Sequence, residues 1–131
     1  MFSVNPEYSK LIFSGKKKVE LRKTLPKIKN RFIAIYETSP TKKIVGLCEV
    51  LNYYELPIKK LNRFVKKAQI NKQFLHAYYK DSSKFVAIEI AQAYSFRKPL
   101  RLKEFSYQDI AVPQSFSYIN NINFSLILSY L

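Results

Sequence analysis

The stretch GKKKVELRK, residues 15–23, sets a glycine and three lysines directly before an alternating run of apolar and charged residues. By the two-residue period of a strand, Val19 and Leu21 share one face, while Glu20, Arg22 and Lys18 share the other. Lys17 has the opposite parity to Glu20, but it lies at a turn, where alternation need not hold. Upstream, NPEYSKLIFSG (residues 5–15) reads as a short helix. Asn5 can cap it, Pro6 suits its first position, and Glu7 favours the positive end of its dipole. Tyr8, Leu11 and Ile12 form an i, i+3, i+4 stripe, and Gly15 can take the left-handed conformation that ends the helix.

Downstream, RFIAIYE (residues 31–37) is a run of β-branched and aromatic residues, expected as a central strand. TSPTKK turns the chain, and KIVGLCEV (residues 43–50) returns as a second strand, with Gly46 marking a bulge or a close approach of backbone or ligand. From Pro57 the period changes. Ile58, Leu61, Phe64, Val65 and Ala68 fall on one helical face, while Lys59, Lys60, Arg63, Lys66 and Lys67 cover the other. NKQFLHAYYK (residues 71–80) reads as a further helix capped by Asn71. KFVAIEIAQAYSF (residues 84–96) is a strand, and Pro99 makes the following KPLRLKEF an edge or irregular strand. The order of elements implies a single α+β domain over residues 1–131, its small, mostly antiparallel sheet closing toward a barrel. A doubly wound α/β fold needs more strand–helix alternation.

With 47% hydrophobic and 15% aromatic residues, the 131-residue chain has material for one core. Its 23 Lys and Arg against 9 Asp and Glu, a formal charge of +14, point to a polyanionic partner, first of all nucleic acid. A Lys-rich codon bias is the plainer explanation. One Cys and one His exclude an internal disulfide and the usual zinc site, so neither a metal nor a cofactor is expected. No signal-peptide core and no membrane-length apolar run is present; a cytoplasmic protein without a membrane partner is the expectation.

Glu20 and Arg22 are either a solvated ion pair or, inside a barrel mouth, a planar fork oriented toward a phosphate or base. The basic face from Lys59 to Lys67 is either solvated or a phosphate track. His76 and Cys48 read as structural. In PQSFSYI (residues 113–119), Gln114 and Ser115 can read base edges and Phe116 can stack on a base, or the aromatics can plug the barrel end. The apolar tail, residues 120–131, docks on the domain or forms a dimer contact. No catalytic triad, phosphate loop or metal cluster is legible, so spacing alone does not decide whether the protein is an enzyme.

GKKKVELR resembles the signature of ASCH domains, members of the PUA-like superfamily, whose pattern G-x-K-x-x-E-x-R is met by Gly15, Lys17, Glu20 and Arg22. SVNPEYSKLIFSGKKKVELRK, IYETSPTKKIVGLCEV and PQSFSYI fall in the order expected of one branch of that family. The resemblance implies a PUA-like β-barrel of about five or six strands with flanking helices. It also implies a cleft beside the first helix that receives RNA or a nucleotide and serves regulation of transcription or translation. Lys17, Glu20 and Arg22 would line this cleft, with Thr38 and Ser39 close by, and Lys16, Lys18, Lys23 and the basic helix would track phosphates. Some ASCH-like proteins are enzymes: ribonucleases, or hydrolases of N4-acetylcytidine that use a Lys and a Thr of this motif. Here Lys17 matches that Lys, but Glu20 stands at the Thr position. The missing hydroxyl counts against the amide hydrolysis and leaves Lys17 and Glu20 as the catalytic candidates of a ribonuclease.

Overall fold

A computed structural model describes residues 1–102. Five strands and three α-helices follow one another as β1 (Phe2–Val4), α1 (Pro6–Phe13), β2 (Val19–Arg22), β3 (Phe32–Glu37), β4 (Lys43–Pro57), a 3-10 helix (Ile58–Phe64), α2 (Val65–Ala68), α3 (Lys72–Tyr78) and β5 (Lys84–Leu100). The strands form one sheet in the order β1-β3-β4-β5-β2. Only β1 and β3 run parallel; the other pairs are antiparallel. The architecture is therefore α+β, as expected, with a mixed sheet in which three of the four strand pairs are antiparallel.

Contrary to expectation, the sheet of the described residues does not close into a barrel. The end strands β1 and β2 are three and four residues long and share no ladder. Side chains meet between them instead, with the Arg22 guanidinium 5.3 Å from the Phe2 ring.

The two-residue period sorts the core. On β3, Ile33 and Ile35 enter one cluster with Phe2, Ile12 and Cys48, while Ala34 and Tyr36 enter another with Ile44 and Leu47. On β2, Val19 and Leu21 pack with Leu61, Ala68 and Leu75 under the helices that follow β4. Glu20 and Arg22 lie opposite Ile88 and Val86 of β5, so their side chains point to the face covered by α1 and β1. Both faces of β2 are thus occupied, and this turns a nominally amphipathic strand into a buried one.

Several local readings needed correction. The segment after Pro57 is not one α-helix, because its first seven residues are 3-10. A 3-10 helix repeats every three residues, which aligns Ile58, Leu61 and Phe64 toward the core. Strand β5 continues unbroken through Pro99. Proline is tolerated there because β2 pairs only with residues 86–89 of β5, so among the described residues the far half of β5 has a ladder on its β4 side alone. Gly46 does mark a close approach: a Cβ there would lie 2.2 Å from the Tyr94 carbonyl oxygen and 2.7 Å from the Phe13 ring. The ladders on both sides of β4 shift register at this point.

Candidate functional site

The site starts with a turn. Helix α1 stops at Ser14, and Gly15 (φ +80°) takes the left-handed conformation that glycine adopts without strain. The chain doubles back so that the Lys17 amide donates to the Leu11 carbonyl, 2.9 Å away. This return places the Lys17 side chain under α1, where 1% of it is exposed. Its ammonium donates to the Ala68 carbonyl at the end of α2, lies 4.0 Å from Glu20 Oε2 and stands 5.3 Å from the Tyr8 ring centre. Burial pulls the Lys17 pKa below the ordinary lysine value; Glu20 pushes it back up and Arg22 lowers it further.

Glu20 sits between the two cations. Its Oε1 lies 3.5 Å from Arg22 Nε, and its buried Oε2 accepts no hydrogen bond among the described residues. The Tyr79 hydroxyl donates to the Arg22 carbonyl at 2.8 Å, which ties β2 to the end of α3, and burial raises the pKa of that phenol. A carboxylate between an ammonium and a guanidinium, with a buried acceptor atom unmet, is a charged floor with spare hydrogen-bonding capacity.

Above this floor opens a cleft of about 180 Å³. Ser3, Asn5 and Tyr8 line one side; Ile70, Phe74 and Tyr78 line the other. Asn5 Oδ1 accepts from the Thr38 hydroxyl at 3.0 Å, so Thr38 braces the wall from behind. Ser39 is exposed in the following turn and does not line the cleft. At the lip, the Phe74 and Tyr78 rings lie within 9° of parallel with centroids 6.4 Å apart, and the Lys23 ammonium stands 4.4 Å from the Tyr78 ring.

The structure brings Lys17, Glu20 and Arg22 together in the cleft, and Lys23 to its lip. It does not bring Lys16 or Lys18 there, as both are exposed and outside it. Lys18 shares parity with Glu20, but the strand begins one residue later. Its amide donates to the Lys67 carbonyl, and its own carbonyl accepts from Ile90. Lys59, Arg63, Lys66 and Lys67 are exposed, Lys60 is half-buried, and none lines the cleft. Gln114, Ser115, Phe116 and the tail lie outside the described residues. His76 is exposed and bonds Asn62 at 2.8 Å. Cys48 is buried in the core, where burial raises its thiol pKa. Among the described residues no group of acidic, His or Cys side chains could hold a metal, and no helix is long and apolar enough to cross a membrane.

Sequence reasoning missed Phe74, Tyr78 and Tyr8. A signal for the first two exists: Phe74/Tyr78 and Leu75/Tyr79 are adjacent i, i+4 pairs in a short helix. Leu75 and Tyr79 take the buried stripe, and Phe74 and Tyr78 stay exposed. A larger concavity of about 600 Å³ beside Lys29, Arg31, Glu49 and Asn52 is less suited to a ligand. Arg31 and Glu49 already pair there at 2.7 Å, and the Asn52 amide donates to Glu89 at 3.2 Å.

The fold is similar to the crystal structure of ASCH from Zymomonas mobilis, with a TM-score of 0.88 and 26% identity over 98% of this chain and 92% of that one. In sequence the chain is 28% identical over 124 residues to an ASCH domain-containing ribonuclease of Zymomonas mobilis subsp. mobilis, covering 91% of this chain and 82% of that protein. It is also 31% identical over 121 residues to the large ribosomal subunit protein uL22 of Ureaplasma parvum serovar 3. That match covers 91% of this chain but only 38% of the length of uL22. The ASCH domain model matches residues 2–100, and the chain belongs to the ASCH domain family.

Proposed function

We propose that this protein binds RNA through the cleft between α1 and α3, in the cytoplasm and in a regulatory capacity. The observation that carries this reading is the Lys17–Glu20–Arg22 floor: two cations and an unmet carboxylate oxygen beneath a narrow opening with aromatic walls. Guanidinium and ammonium suit a phosphate, the carboxylate suits a base N–H, and the rings suit base faces. The net charge of +14 supplies long-range attraction. Similarity to proteins named as a ribonuclease and as a ribosomal protein supports RNA as the polyanion.

The test uses labelled RNA and pure protein without metal, at low and moderate salt. Binding is expected to weaken steeply as salt rises. Arg22→Lys keeps the charge but loses the planar fork, and a loss of about tenfold in affinity is expected. Equal affinity in Arg22→Lys, or binding indifferent to salt, would reject the assignment. A circular-dichroism melt of the variant separates loss of binding from loss of fold.

A second reading, turnover of the bound RNA, is favoured by one feature. Lys17 is held below the ordinary lysine pKa by burial, so its neutral amine is more available than that of a surface lysine. As a general base it would take the proton of a ribose 2′-hydroxyl; that oxygen bonds to the adjacent phosphorus as the bond from phosphorus to the 5′-oxygen breaks, and the leaving oxygen takes a proton from water. The cleavage rate should then rise with pH and level off below the usual lysine value of about 10.4. Lys17→Met should remove that limb. RNA left intact by the wild-type protein, or cleaved as fast by Lys17→Met, would eliminate this reading and leave the binding role.

A further inference from the structure

Phe74 and Tyr78 are not required by the packing of their own helix. Leu75 and Tyr79 bury its apolar stripe, whereas Phe74 is 57% exposed and Tyr78 42% exposed. Two large rings held parallel in water gain little from hydrophobic burial, yet they border a cleft with a charged floor. Lys23 adds a positive charge directly over the Tyr78 ring.

A single nucleic-acid strand complements this combination. Its bases are flat aromatic faces, its phosphates are anions, and both recur at each nucleotide. A duplex does not fit as well, because its bases are stacked on one another and cannot lie against a protein ring. A cleft of about 180 Å³ suits one unpaired base rather than two; the next base along the strand would then emerge at the lip, beside Phe74.

We propose that Phe74 and Tyr78 form a stacking subsite for the base adjacent to the one in the cleft. The site then reads at least two consecutive unpaired nucleotides, with Lys23 beside the phosphate that joins them. This rests on the RNA-binding reading above and adds to it a strand preference and residues outside the Gly15–Arg22 motif.

The test is fluorescence anisotropy on the full chain with four probes: hexaadenylate, hexauridylate, a blunt RNA duplex, and inorganic polyphosphate of comparable charge. Wild-type protein should bind hexaadenylate more tightly than hexauridylate, since purines stack better, and more tightly than the duplex. Phe74→Ala should weaken hexaadenylate binding about tenfold, the scale of one lost base–aromatic stack. Phe74→Tyr should restore it, and polyphosphate, which has charges but no bases, should bind all three proteins alike. Because Phe74 is exposed, the thermal midpoint of Phe74→Ala should match that of the wild type. Hexaadenylate binding unchanged by Phe74→Ala, or polyphosphate binding lost along with it, would overturn the subsite. A duplex bound as tightly as the single strand would do the same. If Arg22→Lys weakens hexaadenylate binding while Phe74→Ala does not, the subsite fails and the cleft reading stands. If the wild-type protein binds none of the RNA probes, both fail.

Discussion

Glu20→Gln is expected to cost the fold about 3 kcal/mol at neutral pH, because it strands a buried ammonium beside a guanidinium. Lys17 has 1% of its side chain exposed, and Glu20 is the only carboxylate facing both it and Arg22 among the described ion pairs. Glutamine keeps the volume and loses the charge, so the effect isolates electrostatics from packing.

The pH dependence gives the prediction its sign. Burial already depresses the Lys17 pKa, and Glu20 is the influence that raises it. Removing that carboxylate moves the folded-state value further down, while the unfolded value stays that of an ordinary lysine. Between the two values the unfolded chain binds the extra proton, so the stability of the variant rises with pH in that window. In the wild type the same rise begins at a higher pH. The deficit of the variant should therefore be largest near pH 7 and narrow as pH passes the folded-state values. Urea midpoints at pH 7 and pH 9.5 measure it. Equal midpoints for variant and wild type at pH 7 would show that the cluster carries no net coupling, and the charged floor would lose its physical basis.

Gly46→Ala is the other large effect, expected to cost about 3 kcal/mol. The new methyl would meet the Tyr94 carbonyl on β5 at 2.2 Å and the Phe13 ring of α1 at 2.7 Å. A ring can rotate away, but a carbonyl in the middle of a ladder cannot move without the strand. Gly15→Ala provides the contrast. Nothing lies within 4 Å of a Cβ there, so the only penalty is the left-handed backbone at φ +80°, worth roughly 1–2 kcal/mol. Thermal unfolding of the two variants side by side should rank Gly46→Ala as the more damaging. The reverse ranking would mean that β5 can shift at Tyr94 and that the glycine is not needed for close packing.

The motif from Gly15 to Arg22 also shows where local sequence information ends. Some features depend only on neighbours in the chain, and these were legible. They include the helix ending at Gly15, the parity that puts Glu20 and Arg22 on one face of β2, the Asn71 cap, whose side chain accepts from the Gln73 and Phe74 amides, and the family signature itself. Parity alone does not say whether a face is covered. That was decided by α1 folding over one side of β2 while α2 and α3 took the other, which turned a solvent-compatible ion pair into a buried one. Strand β1 has no local signal either: its three residues become a strand by pairing with Ile35 to Glu37, more than thirty positions away. The exposure of Phe74 follows from a choice between two equivalent stripes on α3, made by whichever stripe meets Leu61 and Phe85. Sequence by itself determined most of the elements, the parity of β2 and the family. Tertiary structure alone decided the open sheet, the burial of Lys17 and the aromatic lip, because each depends on contacts between segments remote in the chain.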